Sequence, residues 1–238
     1  GSGNRPIDKL SAVRILEMMV EKNWRNRENY LDTGADSDRS QFIIEQADDP
    51  DDFQGDQDQT ENPRYGVLDI ETRRSAQEVG GWNKASKMGV SCAVLYDSES
   101  DSFKTYLQDD VETLCRDLKQ LDLIIGFNII RFDYKVLSGL TDFNFDALPT
   151  LDLLLKIHER LGYRLGLDHL AKETLGEQKS ADGLQALEWW KQGRLEDIIE
   201  YCRQDVRVTR DLYLYGRDRH YLIFRNKAGA QVRVPVTW

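Results

Sequence analysis

Apolar residues between Arg64 and Tyr215 fall into short runs, and their spacing changes character along the chain. Tyr65–Ile70 is a compact apolar run of the kind a buried strand carries, and Met88–Tyr96 is a second. Ser102–Leu107 reads as a third strand, with polar Asp97–Asp101 as the turn before it. Val111–Lys119 has helical periodicity, and Leu121–Phe127 is again an apolar strand. Ile129–Leu140 then predicts a helix, broken at Gly139. A mostly helical stretch follows at Leu151–Leu161, Leu167–Leu175, Leu184–Lys191 and Leu195–Tyr215. Tyr221–Phe224 and Gln231–Val236 predict a small hairpin around Lys227–Gly229. Three strands, then alternating helix and strand, then helices predict an α/β fold: a mixed sheet flanked by helices.

The front of the chain has a different pattern. Leu10, Val13, Leu16, Met19 and Val20 form a stripe at helical spacing, with Pro6 suited to the first turn, so residues 6–30 predict a helix. Glu45–Glu61 holds eight acidic residues and no basic one, a composition that cannot bury a core. The expected organisation is a cloning scar over 1–3, an N-terminal helical segment over 4–44, an acidic flexible linker over 45–62, a main domain over 63–216 and a C-terminal extension over 217–238.

Net charge over the 238 residues is −10, which is unexpected for a partner of nucleic acid. Residues 1–62 carry 7 Lys and Arg against 15 Asp and Glu, leaving 25 against 27 in the remainder. The acidity belongs to the front segment and does not exclude a polyanionic substrate. No apolar run is long enough to span a membrane. The three cysteines, Cys92, Cys115 and Cys202, are odd in number and widely spaced, and the three histidines are scattered, which argues against a zinc site or a disulfide framework. Buried free thiols in a reducing cytoplasm are the expectation.

Asp69 and Glu71 close the first strand. Side chains alternate along a strand, so both project from one face while Leu68 and Ile70 point the other way. Two adjacent carboxylates at the end of an apolar strand fit a hard divalent cation, or else a strand end that emerges into water. A second cluster, Gly126-Phe127-Asn128-Ile129-Ile130-Arg131-Phe132-Asp133, places Asn128 as an N-cap residue and Asp133 about one turn into the following helix. In the long late helix, Tyr201 and Asp205 are four apart and stack on one face, beside a buried stripe containing Cys202 and Val206.

Asp-x-Glu on a strand, Asn-x-x-x-Phe-Asp after another strand and Tyr-x-x-x-Asp on a late helix together resemble the DEDD exonuclease superfamily, whose fold is ribonuclease-H-like. The tyrosine marks the DEDDy branch, shared with ribonuclease D and the proofreading domain of family B DNA polymerases. With Leu167-Asp168-His169-Leu170 and Lys179-Ser180-Ala181-Asp182-Gly183, the pattern is similar to bacterial ribonuclease-H-like exonuclease domains joined to helicases. The resemblance covers roughly Arg64 to Tyr215. It implies 3′-5′ exonuclease action on single-stranded ends, DNA slightly before RNA, releasing nucleoside 5′-monophosphates. It further implies two Mg²⁺ or Mn²⁺ ions held by Asp69, Glu71, Asp133 and Asp205, with Tyr201 orienting the attacking water. Asn128, Phe132, Trp82 (within Gly80–Lys84, expected to be a flexible loop) and Lys179 are the candidate substrate contacts, and Arg203, Arg207 and Arg210 form a basic stripe. Asp152 and Asp168 fit either support of the site or an ordinary cap. The alternative is a non-catalytic nucleic-acid-binding or docking module, with the N-terminal helix contacting a helicase or another large protein.

Overall fold

The computed structural model describes residues 63–177 and 183–238. The expected N-terminal helix and acidic linker, and Lys179, lie outside the described residues. The chain builds a five-stranded sheet in the order β3-β2-β1-β4-β5 from β1 (Tyr65–Thr72), β2 (Val90–Asp97), β3 (Ser102–Tyr106), β4 (Leu123–Gly126) and β5 (Thr150–Asp152). β1 runs antiparallel to β2 and parallel to β4; β2 and β3 are antiparallel, β4 and β5 parallel. The sheet is therefore mixed, and β1, β4 and β5 end at the same edge.

Side-chain alternation on β1 divides the molecule into two cores. Val67 joins Val94, Ile125 and, from the long helix, Ile198, Cys202, Val206 and Leu212. Leu68 and Ile70 join Leu114 and Leu118 on the opposite face, with Val136 and Leu137. The first core is covered by α4 (Leu153–Leu161), α6 (Gly183–Lys191) and the 25-residue α7 (Leu195–Arg219). The second lies under α2 (Val111–Leu118) and α3 (Asp133–Leu137). A short α1 (Ala76–Val79) follows β1, and α5 (Leu167–Leu170) continues into a π-helical turn at Ala171–Leu175. Helices on both faces of a mixed sheet are the architecture the pattern predicts.

Four local expectations are corrected. The segment after Leu148 begins as a strand, β5, before α4 starts at Leu153. The helix expected from Ile129 begins only at Asp133 and ends at Leu137. Asn128 is not its N-cap: it has φ 68°, and residues 128–132 form turns that carry the chain from β4 across the sheet edge. The Gly80–Lys84 stretch is not a flexible loop either. Gly80, at φ 88°, caps α1, and Trp82–Lys87 forms a 3₁₀ helix.

At the far end, β6 (Tyr221–Arg225) and β7 (Gln231–Pro235) make the expected hairpin. Its Leu222, Phe224 and Val234, and Val236 just beyond, are buried in the α7 core. Among the described residues no helix is long and apolar enough to cross a membrane.

Candidate active site

Asp69 and Glu71 are half-buried on the α7 face of β1, while Leu68 and Ile70 are buried on the other. α7 crosses behind them, so Asp205 from the late helix meets two carboxylates from the first strand. Oxygen atoms of Asp69, Glu71 and Asp205 all lie within 4.8 Å of one another. An oxygen-only donor set with this concentration of negative charge fits a hard divalent cation, and a soft metal would call for sulfur or imidazole.

Asp133 stands one step deeper and outside that trio. It is 2% exposed, and its Oδ1 accepts a hydrogen bond from the Ile70 amide at 3.1 Å, between the two β1 carboxylates in sequence. Burial, then the neighbouring Asp69 charge, push its carboxyl well above the usual range, against the amide bonds that favour ionisation. A buried carboxylate beside a second one is costly until a cation offsets them both.

Tyr201 is buried and donates its hydroxyl hydrogen to Asp205. Burial, then the charges of Asp205, Glu71 and Asp69, raise its pKa far above the ordinary tyrosine value. Trp189 of α6 packs edge-on against its ring at 6.3 Å. Arg73, just past β1, lies 4.8 Å over the Trp190 ring.

The remaining candidates spread along the same sheet edge. Phe132, next to Asp133, meets the exposed Trp82 ring edge-on at 5.9 Å, forming an aromatic pair at the rim. Asn128 turns toward α4, where its Oδ1 accepts from Arg164. A narrow cleft opens there, bounded by Asn128, Arg131, Asp152, His158 and Arg164. Asp168 is exposed in the first turn of α5. The basic stripe divides: Arg203 pairs with Glu200, whereas Arg207 and Arg210 cover the Phe103 ring of β3 and the Tyr96 ring of β2.

Two further residues support the site, Asp152, expected as a cap or a supporting group, and Cys202, whose contact was not expected. Asp152 is 3% exposed and caps α4 through Leu155, while also accepting from the Asn128 and Ile130 amides at 2.9 and 3.3 Å. It thereby fixes the turn that delivers Asp133. Cys202 contacts Asp69 directly, its Sγ lying 3.3 Å from the carbonyl oxygen and 3.4 Å from Oδ2. The cap was legible as an acidic residue before a helix; the thiol contact had no sequence signal beyond Cys202's place in the buried stripe.

The fold and this acidic centre define a ribonuclease-H-like domain, a class that uses divalent metal ions. The family description RNase_H superfamily matches residues 68–215, and the chain belongs to that superfamily. Among solved structures, the chain is similar to the family B DNA polymerase from the hyperthermophilic archaeon Pyrobaculum calidifontis, with a TM-score of 0.52 and 16% identity. That match takes in 65% of this chain and 24% of the polymerase chain, so this chain spans about a quarter of the polymerase's length. At such identity the likeness carries the fold alone. No match to the chain is found among curated protein sequences.

Proposed function

We propose that the protein is a 3′-5′ exonuclease of the DEDDy type that shortens single-stranded nucleic acid, DNA before RNA, and releases nucleoside 5′-monophosphates. The observation that carries this reading is the convergence of Asp69, Glu71 and Asp205 within 4.8 Å, from a strand and a helix more than a hundred residues apart in sequence. In the proposal these three and Asp133 hold two Mg²⁺ or Mn²⁺ ions, which when bound supply Lewis acidity at the scissile phosphate. Tyr201 keeps its proton and so acts as a donor that orients the attacking water or the phosphate, and Glu71 accepts from that water. The Trp82–Phe132 rim offers aromatic faces to a terminal base. The cleft bounded by Arg131 and Arg164 opens where β4 and β5 end, on the edge that also carries the carboxylates, and gives the strand a cationic path away from the site. The buried free thiols suit a reducing compartment such as the cytoplasm.

The test uses single-stranded DNA and RNA labelled at the 5′ end, incubated with Mn²⁺, Mg²⁺ or EDTA. A ladder that shortens one nucleotide at a time from the 3′ end, lost in EDTA and with Asp69→Ala or Asp205→Ala, is the expected result. Internal cuts at the earliest time points would replace the exonuclease with an endonuclease. Binding without any cutting would leave a nucleic-acid-binding module.

A further inference from the structure

α7 brings a thiol, as well as Tyr201 and Asp205, to the first strand. Cys202 is fully buried, and its Sγ reaches both the carbonyl oxygen and Oδ2 of Asp69, at 3.3 and 3.4 Å. A second thiol, Cys92, is also fully buried and lies in the same core. Cys92 sits on β2 directly opposite Glu71 in the strand register. Two of the chain's three cysteines therefore lie beneath two of the carboxylates.

A thiol has one hydrogen to give, and an ionised carboxylate is the stronger acceptor than a neighbouring sulfur. The Cys202 hydrogen is therefore directed at Asp69, which supplies both oxygens within reach of Sγ. Soft sulfur has little affinity for the hard cation that the oxygen trio fits, so a ligand role for Cys202 does not follow.

We infer that Cys202 is a positioning residue: its S–H fixes the rotation of the Asp69 carboxylate from the helix side and so pre-orients that group for divalent metal. Losing a group that hydrogen-bonds a metal ligand typically costs about 10- to 100-fold in metal affinity. The inference rests on the metal-centre reading above.

The test measures Mn²⁺ binding by calorimetry on full-length protein without substrate, so that it does not depend on cutting. Cys202→Ala removes the donor and is expected to weaken Mn²⁺ binding about tenfold. Cys202→Ser restores a donor and is expected to recover most of the affinity. Melting in EDTA should leave both variants close to the parent, with the difference emerging only when Mn²⁺ is added. Should the alanine variant fold poorly, Cys202→Val fills the space without a donor and serves in its place. Parent-like Mn²⁺ affinity in the donorless variants, with the parent binding normally, would overturn the role of Cys202 and leave the metal centre standing. A parent that binds no Mn²⁺ would overturn both.

Discussion

At Tyr201, burial decides which proton chemistry is available. The hydroxyl is enclosed among Asp205, Glu71 and Asp69, and its pKa is raised by burial and then by those charges, so deprotonation is disfavoured throughout the working pH range. It can orient a nucleophile but cannot take its proton. Tyr201→Phe should therefore lose only the hydrogen bond, about 10- to 100-fold in rate. The ratio of parent to variant rate should stay flat from pH 7 to pH 9.5 in Mg²⁺; a ratio that changes with pH would mean that Tyr201 titrates. Asp133 presents the opposite case, an acid whose ionised form the metal-free fold resists. Its pKa is raised in the folded state, so it contributes stability at low pH that is lost as pH rises through the folded value. Asp133→Asn keeps an oxygen for the Ile70 amide and removes the buried charge. In EDTA at pH 7.5 the variant should melt higher, by about 2 kcal/mol or roughly 4–8 °C. That gap should close as pH is lowered, and added Mn²⁺ should raise the parent's melting temperature more than the variant's. A variant that melts below the parent in EDTA would show that Asp133 is not under this strain.

Between elements, the site depends on close approaches that no single side chain announces. Gly139 ends the α3 segment against the 3₁₀ helix at Trp82–Lys87, and a Cβ on it would sit 1.8 Å from the Ser86 carbonyl oxygen. Because that contact is with backbone, Gly139→Ala must push the 3₁₀ helix away, at a cost of about 1–3 kcal/mol. Trp82 should shift relative to Phe132, seen as a change in tryptophan emission, and affinity for strand ends should fall while Mn²⁺ affinity stays. Unchanged end affinity alongside altered emission would remove the aromatic rim from substrate binding. The sequence announced β1, β2 and β4 because each is an apolar run bounded by turn residues, and it announced α7 because its stripe is long. β5 was hidden because its three residues run straight into Leu153-Leu154-Leu155, and a single apolar stretch gave no sign of a change in period. The positive φ of Asn128 was hidden because a polar residue after a strand fits a cap as well as a left-handed turn. Asp69, Glu71 and Asp205 were legible as a set because the spacing fixed their faces. The Asp133 bond to Ile70 and the Cys202 bond to Asp69 depend on how far α3 and α7 sit from the sheet, and periodicity does not encode that distance.

For the molecule as a whole, the distribution of charge governs how a polyanion arrives. Residues 63–238 hold 25 basic against 27 acidic side chains, and four of the acidic ones are the proposed metal ligands. Once divalent ions are bound, that part of the chain carries an excess of positive charge. Residues 1–62 hold 15 acidic against 7 basic side chains, an opposing field on the same chain. Long-range repulsion of this kind slows encounter and is screened by salt, with a Debye length of about 30 Å at 0.01 M and about 3 Å at 1 M. Removing residues 1–62 should therefore raise kcat/KM on single-stranded DNA severalfold at low ionic strength. It should leave kcat unchanged, and the gain should fade steadily as salt is added. If the gain persisted at high salt, the front segment would be covering the site by direct contact, because screening removes a field but not an occupant. If truncation lowered kcat/KM at every ionic strength, the front segment would be helping to hold the strand, and its net charge would be a poor guide to its role.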